Sequence, residues 1–80
     1  MMSCLPLDSY TVNFRYWIDG EMRQVQHDTP IFGIALAKVQ AGEKACKKHG
    51  YDYLAEIFPR LAAPIVTGTQ KGLDHLKGLL

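Results

Sequence analysis

The dipeptide Asp19-Gly20 constrains this chain more than any other feature, because it stands between two runs that fit together as a hairpin. Asp-Gly accepts positive φ at both central positions of a type I′ turn, the turn whose twist matches that of antiparallel strands. Before it, Tyr10-Thr11-Val12-Asn13-Phe14-Arg15-Tyr16-Trp17-Ile18 alternates strictly, with Val12, Phe14, Tyr16 and Ile18 on one face. After it, Glu21-Met22-Arg23-Gln24-Val25-Gln26-His27 returns. A two-residue turn sets the register: Ile18 opposite Glu21, Tyr16 opposite Arg23, Phe14 opposite Val25, Val12 opposite His27. The face carrying Val12, Phe14, Tyr16, Ile18 and Val25 must cover something. The other carries Thr11, Asn13, Arg15, Gln24 and Gln26, with Trp17 directly opposite Met22.

Residues 29–50 read as the helix that meets the apolar face. Thr29 is expected as N-cap with Pro30 at the first helical position, where a missing N–H costs nothing. Phe32, Ala35, Leu36, Val39, Gly42 and Cys46 recur at helical spacing, and the small residues Gly33, Ala35 and Gly42 favour close approach to a sheet. Gln40, Lys44, Lys47 and Lys48 fall on the opposite side. Lys47, Lys48 and His49 suit the negative end of the helix dipole, and Gly50 suits a left-handed stop.

Residues 51–67 support two periods. Tyr51, Tyr53, Ala55 and Ile57 alternate as a strand would, whereas Leu54, Ile57, Phe58 and Leu61 recur as on a helix. Pro59 interrupts a helix but is tolerated at a strand's end. A lone hairpin is marginal in water, which favours a third strand near Tyr53–Phe58 and then a loop punctuated by Pro64 and Gly68. Thr69 is placed to cap a short helix over 69–80 with Leu73, Leu76 and Leu80 on one side, weakened by Gly72 and Gly78. The expectation is one α+β domain over 1–80: a hairpin over 9–28, a main helix over 29–50, a third strand and loop over 51–67, and a short terminal helix.

Composition narrows the function. Eighty residues hold one domain. The longest uncharged apolar runs, Ile31–Ala37 and Leu61–Val66, fall far short of the ~20 residues that cross a bilayer. Nine basic side chains stand against eight acidic ones, a net charge of +1 with no general pull toward nucleic acid or an anionic membrane. The balance is uneven: residues 1–29 hold two basic and four acidic side chains, residues 30–80 seven and four. Cys4 and Cys46 form no CxxC and have no His at a zinc-finger interval, which reads as two thiols in a reducing cytoplasm. The first seven residues lack the basic stretch and apolar core of a secretory signal.

No constellation of catalytic side chains is visible. His27, His49 and His75 show no metal-binding spacing, the carboxylates are scattered, and Thr67–Gly72 lacks the phosphate-loop pattern, so no metal or other cofactor is expected. A Cys46–His27 pair is conceivable across the helix–sheet interface, but nothing supplies the electropositive, oriented setting a thiolate needs. The surface is more informative. Trp17 and Met22 form a cross-strand apolar pair flanked by Arg15 and Gln24, and Trp, Met and Arg are the types enriched where proteins bind one another. The bland alternative is that the terminal helix covers Trp17. Lys38, Lys44, Lys47 and Lys48 offer a second surface, one that could track phosphates, although a solvated helix face explains them as well. Leu73, Leu76 and Leu80 offer a third, a contact between copies of the chain.

The stretches Tyr10-Thr11-Val12-Asn13, Asp19-Gly20-Glu21-Met22 and the Ala/Gly-rich Pro30–Cys46 give an order of hairpin, Pro-initiated helix and aromatic third segment. That order resembles very small phage-encoded proteins, among them compact type I anti-CRISPR proteins, over about residues 9–58. The resemblance implies a stoichiometric inhibitor that docks on a host protein or ribonucleoprotein complex in the host cytoplasm and blocks it sterically. Those proteins share no catalytic or binding motif, so no site residue carries over. The function expected is therefore a non-enzymatic protein-binding module, with nucleic-acid binding or a homo-oligomeric regulatory role as alternatives.

Overall fold

A computed structural model describes residues 9–78; Cys4 and Leu80 lie outside the described residues. The hairpin forms in the expected register. β1 (Tyr10–Ile18) and β2 (Glu21–Thr29) pair antiparallel from Ile18↔Glu21 to Tyr10↔Thr29 without a break. Asp19 and Gly20 both take positive φ, 51° and 83°, as a type I′ turn requires.

The main helix, α1 (Phe32–His49), begins later than expected. Thr29 remains in β2 and Pro30 precedes the helix, with Ile31 at the N-cap. The Thr29 hydroxyl still serves the entry, accepting the Ile31 N–H at 3.2 Å, while the Ile31 carbonyl accepts from Ile34 and Ala35. Gly50 closes the far end at φ 74°, and the Tyr51 N–H donates to the Cys46 carbonyl at 2.9 Å.

The ambiguous segment is extended. β3 (Asp52–Pro59) pairs antiparallel with β1, and Pro59 stands at the strand's end, where it costs no ladder bond. Beyond it the expectation of a loop fails. Ile65–Gly68 forms a further strand, β4, antiparallel to β3, so the sheet has four strands in the order β2-β1-β3-β4. The reason is the free side of β3: its backbone groups need partners, and the β-branched run Ile65-Val66-Thr67 supplies them.

One helix lies on each face. α1 packs on the face carrying Val12, Phe14, Tyr53, Ala55 and Ile57, against which Ala35, Val39 and Cys46 are buried. Gly42 lies under the Phe14 ring, where an added Cβ would sit 2.6 Å from a ring carbon. Gly33 meets nothing within 4 Å and plays no part in the approach. α2 (Gln70–Gly78) packs on β3 and β4 from the other side, capped by Thr69, whose hydroxyl oxygen accepts the Gly72 N–H at 3.3 Å. The structure is thus α+β: a four-stranded antiparallel sheet with one main helix and a short C-terminal helix. Among the described residues no helix is long and apolar enough to cross a membrane.

Candidate functional site

A helix is about 10 Å across and neighbouring strands lie about 4.8 Å apart, so a single helix roofs two strands well and a third poorly. α1 sits over β1 and β3, and β2 is left at the margin. The residues Glu21–Gln26 are all exposed, on both faces of the strand. Val25 shows the consequence best. Its side chain points to the same face as Phe14 and Val12, yet it is 56% exposed.

Between β2 and the flank of α1 runs a groove of about 330 Å³, with Phe14, Tyr16 and Val25 among its floor residues. Lys38 and His49 stand on its helix wall and His27 on its sheet wall. The strand alternation puts Val25 on the covered face, and the groove has no signal in the sequence pattern. The width of one helix against three strands is what leaves it open. Lys38, placed with a lysine surface by sequence, belongs to this groove instead. Lys44, Lys47 and Lys48 are exposed, but at about 100° per residue the four lysines spread around half the circumference of α1 and form no single row.

On the opposite face the predicted binding residues separate. Met22 is 45% exposed and Gln24 is exposed. Trp17 is half buried, its ring meeting the His75 imidazole edge-on with centroids 5.2 Å apart, so α2 partly covers it. Arg15 is engaged within the fold: its guanidinium donates to the Glu56 carboxylate, and both side chains are largely withdrawn from water. The free surface there is Met22 and Gln24. Leu73 and Leu76 are half buried on the same side of α2 as Gly72, which faces β3.

Other polar groups are structural. The Tyr53 hydroxyl donates to Glu43 at 2.7 Å, and Thr67 donates to the same oxygen at 3.4 Å, tying α1 to β3 and β4. Burial and the neighbouring Glu43 carboxylate push the Tyr53 hydroxyl up to about 12. Cys46 is buried at the groove's floor, and burial pushes its thiol up, the wrong direction for a nucleophile beside His27. Among the described residues no three His, Cys, Asp or Glu side chains cluster as metal ligands would. Comparison with protein-family models, with curated proteins and with solved structures finds no match.

Proposed function

We propose that this chain is a non-enzymatic protein-binding module that docks on its partner through β2 and the side chains beside it. One observation carries the reading: β2 is a nine-residue edge strand exposed on both faces, with Met22 on one side and Val25 on the other. Open edges invite strand pairing, and folds normally protect them with charged side chains, bulges, prolines or a covering element. Among the described residues β2 has no bulge, proline or cover over Glu21–Gln26, where Glu21 and Arg23 are its charged side chains, and strand addition to such an edge is a recurrent mode of recognition. The scattered lysines of α1 favour this over a phosphate-tracking surface.

The partner class rests on the resemblance to compact type I anti-CRISPR proteins, which supports a stoichiometric, steric inhibitor of a host defence complex working in the host cytoplasm. The test is phage plating on a bacterium whose type I CRISPR system targets that phage. Expression of the chain is expected to restore plaques by orders of magnitude, and Val25→Lys, at a position 56% exposed, is expected to abolish the effect while the purified variant keeps the wild-type circular dichroism spectrum. Unchanged plating with the wild-type chain contradicts the inhibitor reading.

A further inference from the structure

The phase of the hydrogen bonds along β2, and the charge around it, describe the partner's own residues. A two-residue turn closes on a pair that exchanges both backbone hydrogen bonds, after which bonded and non-bonded pairs alternate. Ile18 and Glu21 are that pair, so Glu21, Arg23, Val25, His27 and Thr29 direct their backbone groups to β1. The same phase appears across the sheet, where the Arg60 N–H donates to the Ser9 carbonyl at 3.1 Å from the β3 side. Met22, Gln24, Gln26 and Asp28 therefore turn their N–H and C=O groups outward along the open edge.

On the helix side of that edge the formal charges are Arg23 and Lys38 against Glu21 at the turn, with two imidazoles beside them. Arg23 and His27 flank Val25 on its own face of β2, and Lys38 and His49 rise across the groove. Among the described residues no carboxylate lines the groove, and Glu21, at the turn, is the one acid on that face of β2.

Resting on the docking reading above, we infer that the partner is an extended segment that adds to β2 as a fifth strand. It carries an apolar side chain beside Val25, over the groove, and carboxylates two residues to either side, facing Arg23, His27 and Lys38. Side chains two apart on a strand share a face, so the pattern is acid, any, apolar, any, acid, and it reads alike in both strand directions. A second copy of this chain meets the pattern poorly. Two-fold pairing about Val25 puts Arg23 opposite the other copy's His27 and supplies no carboxylate to either.

The test is a titration of the full ¹⁵N-labelled chain with a capped nine-residue peptide, threonine throughout except for glutamate, phenylalanine and glutamate at its third, fifth and seventh positions. Saturable amide shifts are expected at Met22, Gln24, Gln26 and Asp28. A peptide with lysines for glutamates should bind at least about tenfold more weakly, and Lys38→Glu, on an exposed helix position, should shift that preference about tenfold toward the lysine peptide. The inference is overturned by equal binding of the two peptides, by no saturable shift at millimolar peptide, or by shifts centred on Phe58 and β4. Concentration-dependent shifts of β2 without peptide would overturn it too, in favour of a dimer. Failure here with plating rescue intact would discard the acidic strand alone; binding here without plating rescue would discard the inhibitor reading alone.

Discussion

The Trp17 indole meets the His75 imidazole edge-on at 5.2 Å, and this contact ties the hairpin to the C-terminal helix. It makes Trp17 a structural residue of the α2 interface as well as a neighbour of the open surface. Edge-to-face aromatic pairs contribute about 0.5–1.5 kcal/mol beyond area burial. His75→Ala is expected to cost about 1 kcal/mol in denaturant unfolding and to move the emission of Trp17 to longer wavelength. Trp17 is the chain's single tryptophan, so the spectrum reports the surroundings of this residue alone. An unchanged spectrum would show that α2 does not cover the ring.

The approach of α2 to β3 depends on Gly72. A Cβ there would collide with the Tyr53 carbonyl oxygen, and one at Gly68 would lie 2.6 Å from the same atom. Both contacts are with backbone, which cannot swing aside. Gly72→Ala is therefore expected to lose about 1–3 kcal/mol, the usual scale of overpacking, despite alanine's higher helix propensity. Gly33→Ala, where nothing lies within 4 Å, is expected to gain a few tenths to about 1 kcal/mol. Equal effects at the two positions would contradict the packing.

Tyr53 makes stability depend on alkaline pH. Its hydroxyl ionises at about 12 in the fold against 10.0 when unperturbed, so the folded state holds the proton more tightly. That contribution is fully present below about pH 10 and is lost as pH rises toward 12. Unfolding free energy should fall across this window in the wild type and more shallowly in Tyr53→Phe. The variant should also lose about 1.5–3 kcal/mol at neutral pH with the hydrogen bond to Glu43. Following phenolate absorbance, one of the chain's four tyrosines should titrate late.

Arg15, which pattern reading placed among the binding residues, should act on the fold. Glu56 is 5% exposed, and removing the guanidinium leaves its carboxylate buried and unpaired. Arg15→Ala is expected to destabilise by about 3–5 kcal/mol. Arg15→Ala with Glu56→Gln should recover part of this loss. A folded, fully stable Arg15→Ala protein would mean that the pair contributes little.

The strict alternation of Tyr10–Ile18 and the Asp-Gly turn made the hairpin and its register legible in the sequence, and the Ala35/Val39/Cys46 stripe made the core helix legible. β4 was not: the four residues Ile65–Gly68 lie between Pro64 and Thr69 and are too few to show a period, so their order comes from pairing with β3. The helix start moved because the Thr29 hydroxyl can serve the helix entry from within a strand. The surface was the least legible. Whether Trp17, Arg15 or Val25 faces water is decided by α2, by Glu56 and by the breadth of α1, all distant in sequence from the side chains they cover or leave bare.

Docking through β2 requires an open edge with the backbone groups of its even-numbered residues facing outward. Amide hydrogen exchange in the isolated chain measures this directly. Met22, Gln24, Gln26 and Asp28 are expected to exchange at rates close to those of an unfolded chain, while Arg23, Val25 and His27 between them are strongly protected. Uniform protection along β2 would contradict the account, because the edge on which docking depends would already be covered.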